Sequence, residues 1–151
     1  MKDNFGEALS LVLHHEGGYV DHPKDPGGRP NMGITQRVYE SYLGREVTEE
    51  DMRSLPPNHA SEIYRRDYWD MVKGDELPLG IDYAVFDWAV NSGPGTVARE
   101  LQKLVGVSID GAIGPQTLAA VSSEDIPELI TKLAEALTVN IPIFTKLTKE
   151  D

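Results

Sequence analysis

The segment GIDYAVFDWAVNSG, at residues 80–93, limits the possible fold of this chain more than any other. Apolar residues surround nearly the whole circumference of a helix drawn through it: Ile81, Ala84, Val85, Phe86, Trp88, Ala89 and Val90. A helix that is apolar on every side must be covered by other elements, because no face of it suits water. The sequence therefore predicts a domain built around this central helix, which ends where Gly93-Pro94-Gly95 interrupts the pattern.

Apolar spacing predicts further helices on both sides of the central one. Before it, helices are expected over 4–16, over 35–43 and after Thr48, whose acidic successors suit a first turn. Another, capped by Asn58 and ending near Gly74, should bury one side made of Ala60, Ile63, Tyr64, Tyr68 and Met71. After the central helix, three more are expected over 97–105, 115–121 and 126–137. Glycines and prolines in 17–35 predict a small hairpin or looped lobe with tight turns at 25–28.

Composition limits the class of protein. A chain of 151 residues with 40% hydrophobic content can bury one sizeable core, so a single domain over 1–151 is expected. The net charge of −11, with scattered basic residues, argues against nucleic acid as a partner. Without cysteine there is neither a disulfide nor a thiolate metal site. No apolar run is long enough for a membrane span, and no signal peptide is recognisable, so synthesis in the cytoplasm is expected.

A glutamate in an unusual position suggests the chemistry. In 4–16 the apolar residues Phe5, Ala8, Leu9, Val12 and Leu13 share one helical face, and Glu16 falls within roughly 40° of its mean direction. Gly17 and Gly18 then stop the helix. Desolvation and the negative end of the helix dipole would both raise the pKa of Glu16, as a general acid requires. The alternative is that Glu16 reaches past the helix end, or pairs with a nearby basic residue.

Several motifs in order resemble one enzyme family. HEGGYVDHPKDPGG, GIT at 33–35, RRDYWD at 65–70 and DYAVFDWAVNSGPG at 82–95 are similar to the N-acetylmuramidases of glycoside hydrolase family 108. The resemblance spans 8–121, whereas 122–151 is a divergent C-terminal helical segment. It implies a lysozyme-like α+β fold, mainly α, in which a small glycine-rich β-hairpin lobe accompanies a helical lobe around the central hydrophobic helix. It also implies hydrolysis of the β-1,4 bond between N-acetylmuramic acid and N-acetylglucosamine in peptidoglycan, with Glu16 as the catalytic glutamate.

Glycoside hydrolysis needs a second group that stabilises or attacks the developing cation, directly or through water. Asp25 is the candidate, with a turn-forming role before Pro26 as the equal alternative and Asp21 as a weaker competitor. The family commonly has threonine where this chain has Pro30, which cannot position a water. Asn31 or Thr35 could take that role. If neither does, a slow enzyme, a lytic transglycosylase, or a non-catalytic peptidoglycan-binding or structural protein is the alternative.

Other residues are candidates for binding sugar. Tyr19 could offer a ring face, and Asn91 resembles an asparagine of phage lysozymes that would bond to an N-acetyl group. Tyr64, Tyr68 and Trp69 suit the core better, because they recur at helical spacing. The segment DGAIGPQT at 110–117 is either similar to the family's peptidoglycan-binding-like region or simply a turn followed by a proline-initiated helix.

The expected partners follow from the resemblance. They are peptidoglycan glycan strands, met in the periplasm or at the cell wall by a monomer. Asp82 and Asp87 are expected to be structural. The four histidines, His14, His15, His22 and His59, have no spacing that suits a metal site, so neither a metal nor another cofactor is expected.

Overall fold

The computed structural model describes residues 4–16 and 30–139, with the backbone alone at 15, 16 and 139. The predicted turns at 25–28 and most of the predicted hairpin lobe lie outside these residues. The described part is mainly helical, in agreement with the predicted class. Its α-helices are α1 (Asn4–Glu16), α2 (Gln36–Leu43), α3 (Glu49–Arg53), α4 (Pro57–Tyr64), α5 (Ile81–Ser92), α6 (Pro94–Val105), α7 (Pro115–Ser122) and α8 (Ile126–Val139). A π-helical turn, Arg65–Trp69, follows α4, and a short 3-10 helix, Gly74–Glu76, precedes α5.

The chain divides into two compact units. The N-terminal unit is Gly6–Asp67, and the C-terminal unit combines Met1–Phe5 with Tyr68–Asp151. A single domain over 1–151 stays a prediction, and each unit is described by itself below.

The C-terminal unit is built around α5, as the sequence predicts. Over 81–92 every residue is buried or half-buried except Asn91. α6 and α8 pack against α5, and their apolar residues complete the core. The buried residues are Val72, Leu77, Ile81, Val85, Ala89, Val97, Ala98, Leu101, Ile113, Val121, Leu129, Leu133 and Leu137.

Asp82 is the buried acid of this core, and it is structural as expected. Its Oδ2 accepts a hydrogen bond of 2.7 Å from Nδ2 of Asn4, and its Oδ1 accepts from the N–H groups of Gly80 and Tyr83. The carboxylate thus supplies acceptors for backbone donors that the first turn of α5 leaves without intrahelical partners.

In the N-terminal unit, caps fix the helix starts. The side chain of Thr35 accepts from the N–H of Val38 and begins α2. Thr48 and Asp51 form a reciprocal capping box that begins α3, as the acidic turn predicts. The carboxylate of Asp51 accepts a hydrogen bond from the N–H of Thr48 and a longer one from the guanidinium of Arg45. These two bonds, the Thr48 bond first, lower the pKa of Asp51.

Three predictions about the fourth helix are wrong. It does not continue to near Gly74, because α4 ends at Tyr64 and the π-helical turn after it ends at Trp69. Asn58 is not its N-cap, because α4 starts at Pro57, whose missing N–H and fixed φ suit the first helical position, and Pro56 is the cap. Met71 is not buried but 60% exposed. The cause is the π-helical turn, which adds a residue to the turn and changes the register of the side chains after it. Trp69, the last residue of this turn, and Val72 after it are buried.

The segment 110–117 forms a turn followed by a proline-initiated helix. Asp110-Gly111 is the turn, with Gly111 at φ +80°, and α7 begins at Pro115. The buried side chain of Gln102 holds this loop. Its Nε2 donates to Asp110 Oδ1 at 2.8 Å, the Ala112 carbonyl at 3.0 Å and Thr117 Oγ1 at 3.2 Å, while its Oε1 accepts from Gly111 N–H. Bonds from the Ala112 N–H and then from Gln102 lower the pKa of Asp110.

Replacing Gln102 by leucine should lower the free energy of unfolding by about 2 kcal/mol at pH 7, because partners of the amide lose their bonds. Urea denaturation measures this, with exposed Gln116→Leu as a control expected to change stability by less than about 0.5 kcal/mol. The depressed pKa of Asp110 stabilises the fold above its unfolded pKa of about 3.9 and stops doing so as pH falls through the lower folded value. The difference between wild type and Gln102→Leu should therefore shrink in acid, and a constant difference would contradict this account.

Candidate functional site

A tight turn lies at the beginning of the described residues 30–139. Asn31 and Ile34 form an antiparallel bridge, in which each N–H donates to the other's carbonyl at 3.1 and 2.9 Å. Met32 and Gly33 between them have φ of +53° and +76°. Positive φ at both central residues is the pattern of the type I′ turn that closes two-residue hairpins. This bridge is the part of the predicted β region that the described residues contain.

The turn is anchored to two helices of the same unit. The Nδ2 of Asn31, which is 7% exposed, donates to the carbonyl of Met52 at 2.9 Å and to that of Arg53 at 3.4 Å, at the end of α3. The hydroxyl of Tyr64, in α4, donates to the Met32 carbonyl at 2.6 Å. Sequence reasoning missed this role of Tyr64, and a non-glycine residue before Gly33 gave only a weak signal of a turn.

Thr35 directly follows the turn, and its hydroxyl oxygen accepts from the N–H of Val38 at 3.3 Å. A hydroxyl keeps its own O–H donor and a second lone pair while it accepts one bond. The hydrogen bonds of Asn31 and Thr35 are structural, because they join the turn to α3 and begin α2. A role of either residue in binding substrate stays a prediction.

The main predicted catalytic residue occupies the position that the sequence suggests. Glu16 is the last residue of α1, and the residues Phe5, Ala8, Leu9 and Val12 of that helix are buried. Position 16 follows Val12 by one helical turn and so continues this series along the chain. The side chain of Glu16, together with the predicted site residues Asp25 and Tyr19 and the competitor Asp21, lies outside the described residues.

Asn91 belongs to the C-terminal unit. It is exposed near the end of α5, and its Nδ2 donates to the Asp87 carbonyl at 2.9 Å. This bond uses one of the two amide hydrogens of Asn91, and the predicted role of this side chain toward an N-acetyl group stays a prediction.

The aromatic candidates Tyr64, Tyr68 and Trp69 are buried or half-buried, as expected. Tyr64 and Trp69 are 1% and 0% exposed, so neither presents a ring face to a sugar, and Tyr68 packs half-buried against the core. The hydroxyl of Tyr39 and Nδ1 of His59 form a hydrogen bond of 2.7 Å. Among the described residues no group of three histidine or acidic side chains could hold a metal ion.

A cavity of about 200 Å³ opens beside the loop held by Gln102. Its lining consists of Val107, Ser108, Asp110, Ala112, Gly114, Pro115, Gln116 and Thr117. The lining mixes apolar side chains with one carboxylate, one amide and two hydroxyl groups. No helix within 4–16 or 30–139 is long and apolar enough to cross a membrane.

The chain is similar to known proteins over most of its length. The model of the family described as glycosyl hydrolase 108 matches residues 9–93. A solved structure described as SagA of Brucella abortus is 42% identical in sequence, covers 99% of this chain and 88% of its own, and has a TM-score of 0.86. Among curated proteins, none matches this chain.

The fold and these similarities define a lysozyme-like, mostly helical glycoside hydrolase. The chain belongs to the glycosyl hydrolase 108 family, and the predicted membership is confirmed. Membership of this family points to peptidoglycan hydrolysis and to a glycan as the substrate.

Proposed function

We propose that the protein is an N-acetylmuramidase that cleaves the β-1,4 bond between N-acetylmuramic acid and N-acetylglucosamine, with Glu16 as the general acid. The observation that carries the proposal is the family match over 9–93, which contains the end of α1 and therefore Glu16. The amphipathic pattern of α1 supports it, because position 16 continues a series of buried positions. A general acid needs surroundings of this kind in order to stay protonated near neutral pH.

The proposed reaction assigns one proton transfer to Glu16. Its carboxyl group gives a proton to the glycosidic oxygen while the bond from that oxygen to C1 of N-acetylmuramic acid breaks. The bonding electron pair leaves with the oxygen, which becomes the 4-hydroxyl of N-acetylglucosamine. Positive charge develops at C1, and the Asp25 carboxylate is proposed to stabilise it, or to activate the water that attacks C1. The products are two shorter strands, one of which ends in reducing N-acetylmuramic acid.

The polar residues near position 30 are proposed to assist the water step. Pro30 has neither a hydroxyl nor an amide hydrogen, so Thr35 or Asn31 would have to orient the water. Thr35 suits this role better, because its hydroxyl retains a donor, whereas the Asn31 amide nitrogen already bonds to two carbonyls of the α3 end. Tyr19 and Asn91 are proposed to contact the sugars, and the protein is proposed to act as a monomer at the cell wall or in the periplasm.

Product analysis tests the proposed reaction. Purified peptidoglycan is incubated with the protein, and mass spectrometry identifies the ends of the released muropeptides. We expect reducing N-acetylmuramic acid ends, because water is the proposed nucleophile. Ends in 1,6-anhydro form would instead mean that the sugar's own 6-hydroxyl attacks C1, as in a lytic transglycosylase. If the protein binds to the sacculi but releases no muropeptides, it would be a non-catalytic peptidoglycan-binding protein.

A further inference from the structure

The turn at Asn31–Ile34 carries a conformational conflict that its surroundings resolve. Met32 adopts φ +53°, a left-handed conformation that residues with a side chain rarely take, although glycine and asparagine take it readily. The preferred sequences for this turn are Asn-Gly and Asp-Gly, and here the pair is Met-Gly. The local sequence alone therefore favours the observed geometry only at Gly33, and something else must hold Met32.

The hydroxyl of Tyr64 is the group positioned to hold it. This side chain is 1% exposed in α4, and its hydroxyl bonds at 2.6 Å to the carbonyl of the strained residue itself. The Asn31 side chain fixes the preceding residue to the end of α3. Strained backbone that persists because neighbouring structure determines it is found most often at functional sites, where the strain fixes a geometry in advance.

We propose that Tyr64 is a positioning residue for the glycosidase reaction and acts through the Met32 turn on Thr35. Thr35 lies three residues after Met32, and its hydroxyl starts α2, so the turn determines where that hydroxyl stands. The inference rests on the proposed function, because it assigns Tyr64 to the step in which water is oriented. Tyr64 does not itself touch the reacting atoms.

Three variants test the inference. Tyr64→Phe removes only the hydroxyl, Met32→Asn gives the turn its preferred Asn-Gly sequence, and the double variant combines both changes. Tyr42→Phe is the matched control, because it also removes a tyrosine hydroxyl bonded within the same unit, at 2.6 Å to Glu62. Initial rates are measured against the concentration of solubilised, uncrosslinked peptidoglycan strands, and amide hydrogen exchange is followed at Asn31 and Ile34.

We expect Tyr64→Phe to lower kcat about tenfold with KM unchanged, because a small misplacement of a positioned group affects the reaction step more than binding. Faster exchange of the Ile34 amide should accompany the loss. The double variant should regain most of the lost kcat and the slow exchange, since the turn then holds its geometry by its own preference. Met32→Asn and Tyr42→Phe alone should stay within about twofold of the wild-type kcat.

Two results would overturn the inference alone while the wild type remains active. One is a Tyr64→Phe variant with wild-type kcat, and the other is a loss that Met32→Asn fails to restore, which would mean that Tyr64 acts by another route. A wild-type protein that releases no muropeptides would remove the proposed function and this inference together. The wild-type rate, measured first, therefore separates the two failures.

Discussion

Glu16→Gln should reduce muropeptide release by about a thousandfold. Glutamine keeps the size of the side chain but has no acidic proton, so the leaving oxygen would depart as an alkoxide. General acid catalysis contributes roughly 10² to 10⁴ to such rates, and this residue is proposed to supply all of it. Mass spectrometric quantification of released muropeptides measures the loss, and thermal unfolding checks that the variant folds like the wild type.

Glu7→Gln is the matched control for this substitution. Glu7 stands in the first turn of the same helix and is exposed, so the same substitution there removes a carboxyl group from α1 without touching the proposed chemistry. We expect its activity to stay within about twofold of wild type. If Glu16→Gln retained more than a tenth of the wild-type rate, Glu16 would not be the acid, although the family membership would stand.

Gly74→Ala should lower the free energy of unfolding by about 3 kcal/mol, at the upper end of what overpacking costs. An added Cβ would overlap Cδ2 and Cε2 of the Trp69 indole and lie 2.8 Å from Cε3. The ring has little room to give way. Phe5 and Phe86 pack edge-on against it with centroids 5.4 and 5.3 Å away, and its Nε1 donates to Asp75 Oδ1 at 2.9 Å.

Urea denaturation followed by circular dichroism measures this effect, and Gly6→Ala is the control. An added Cβ at Gly6 meets nothing within 4 Å, and alanine loses less conformational entropy than glycine when a helix forms. Gly6→Ala should therefore stabilise the protein by about 0.5 to 1 kcal/mol. Loss of less than about 1 kcal/mol in Gly74→Ala would mean that the backbone at 74 moves away from the indole at little cost.

The helices were predictable where one physical rule dominates. An apolar circumference identified α5, the spacing of apolar residues identified α8, and the cap at Thr48 with its acidic first turn identified the start of α3. Errors arose where two rules compete. Asn58 is a good capping residue, but Pro57 starts the helix with Pro56 as the cap, two positions earlier than predicted, because proline needs no hydrogen-bond acceptor there.

The π-helical turn at Arg65–Trp69 shows the limit of periodicity. The sequence pattern assumes 3.6 residues per turn throughout, so it placed Met71 inside. A wider turn changes that register. Its last residue, Trp69, packs between Phe5 and Phe86, which are 64 and 17 residues away along the chain. Contacts at such separations leave no local signal.

For the site, motifs identified Glu16 as the candidate acid, and the helix that ends there has the predicted bounds. They did not identify Tyr64 as the group that bonds to the Met32 carbonyl, because an amphipathic pattern says that a tyrosine is inside but not which acceptor its hydroxyl reaches. The same holds for Gln102, a polar residue beside an apolar stripe, whose partners lie 8 to 15 residues later.

The sequence by itself determined the class of fold, the central place of α5, the position of Glu16 at a helix end and the family, because these follow from periodicity, glycine punctuation and ordered motifs. Tertiary structure alone decided the π-helical register, the left-handed conformation of Met32 and the bonds of Tyr64 and Gln102. Each of these is locally unfavourable or locally unspecified. They exist because distant side chains supply the packing and hydrogen bonds that offset the local preference.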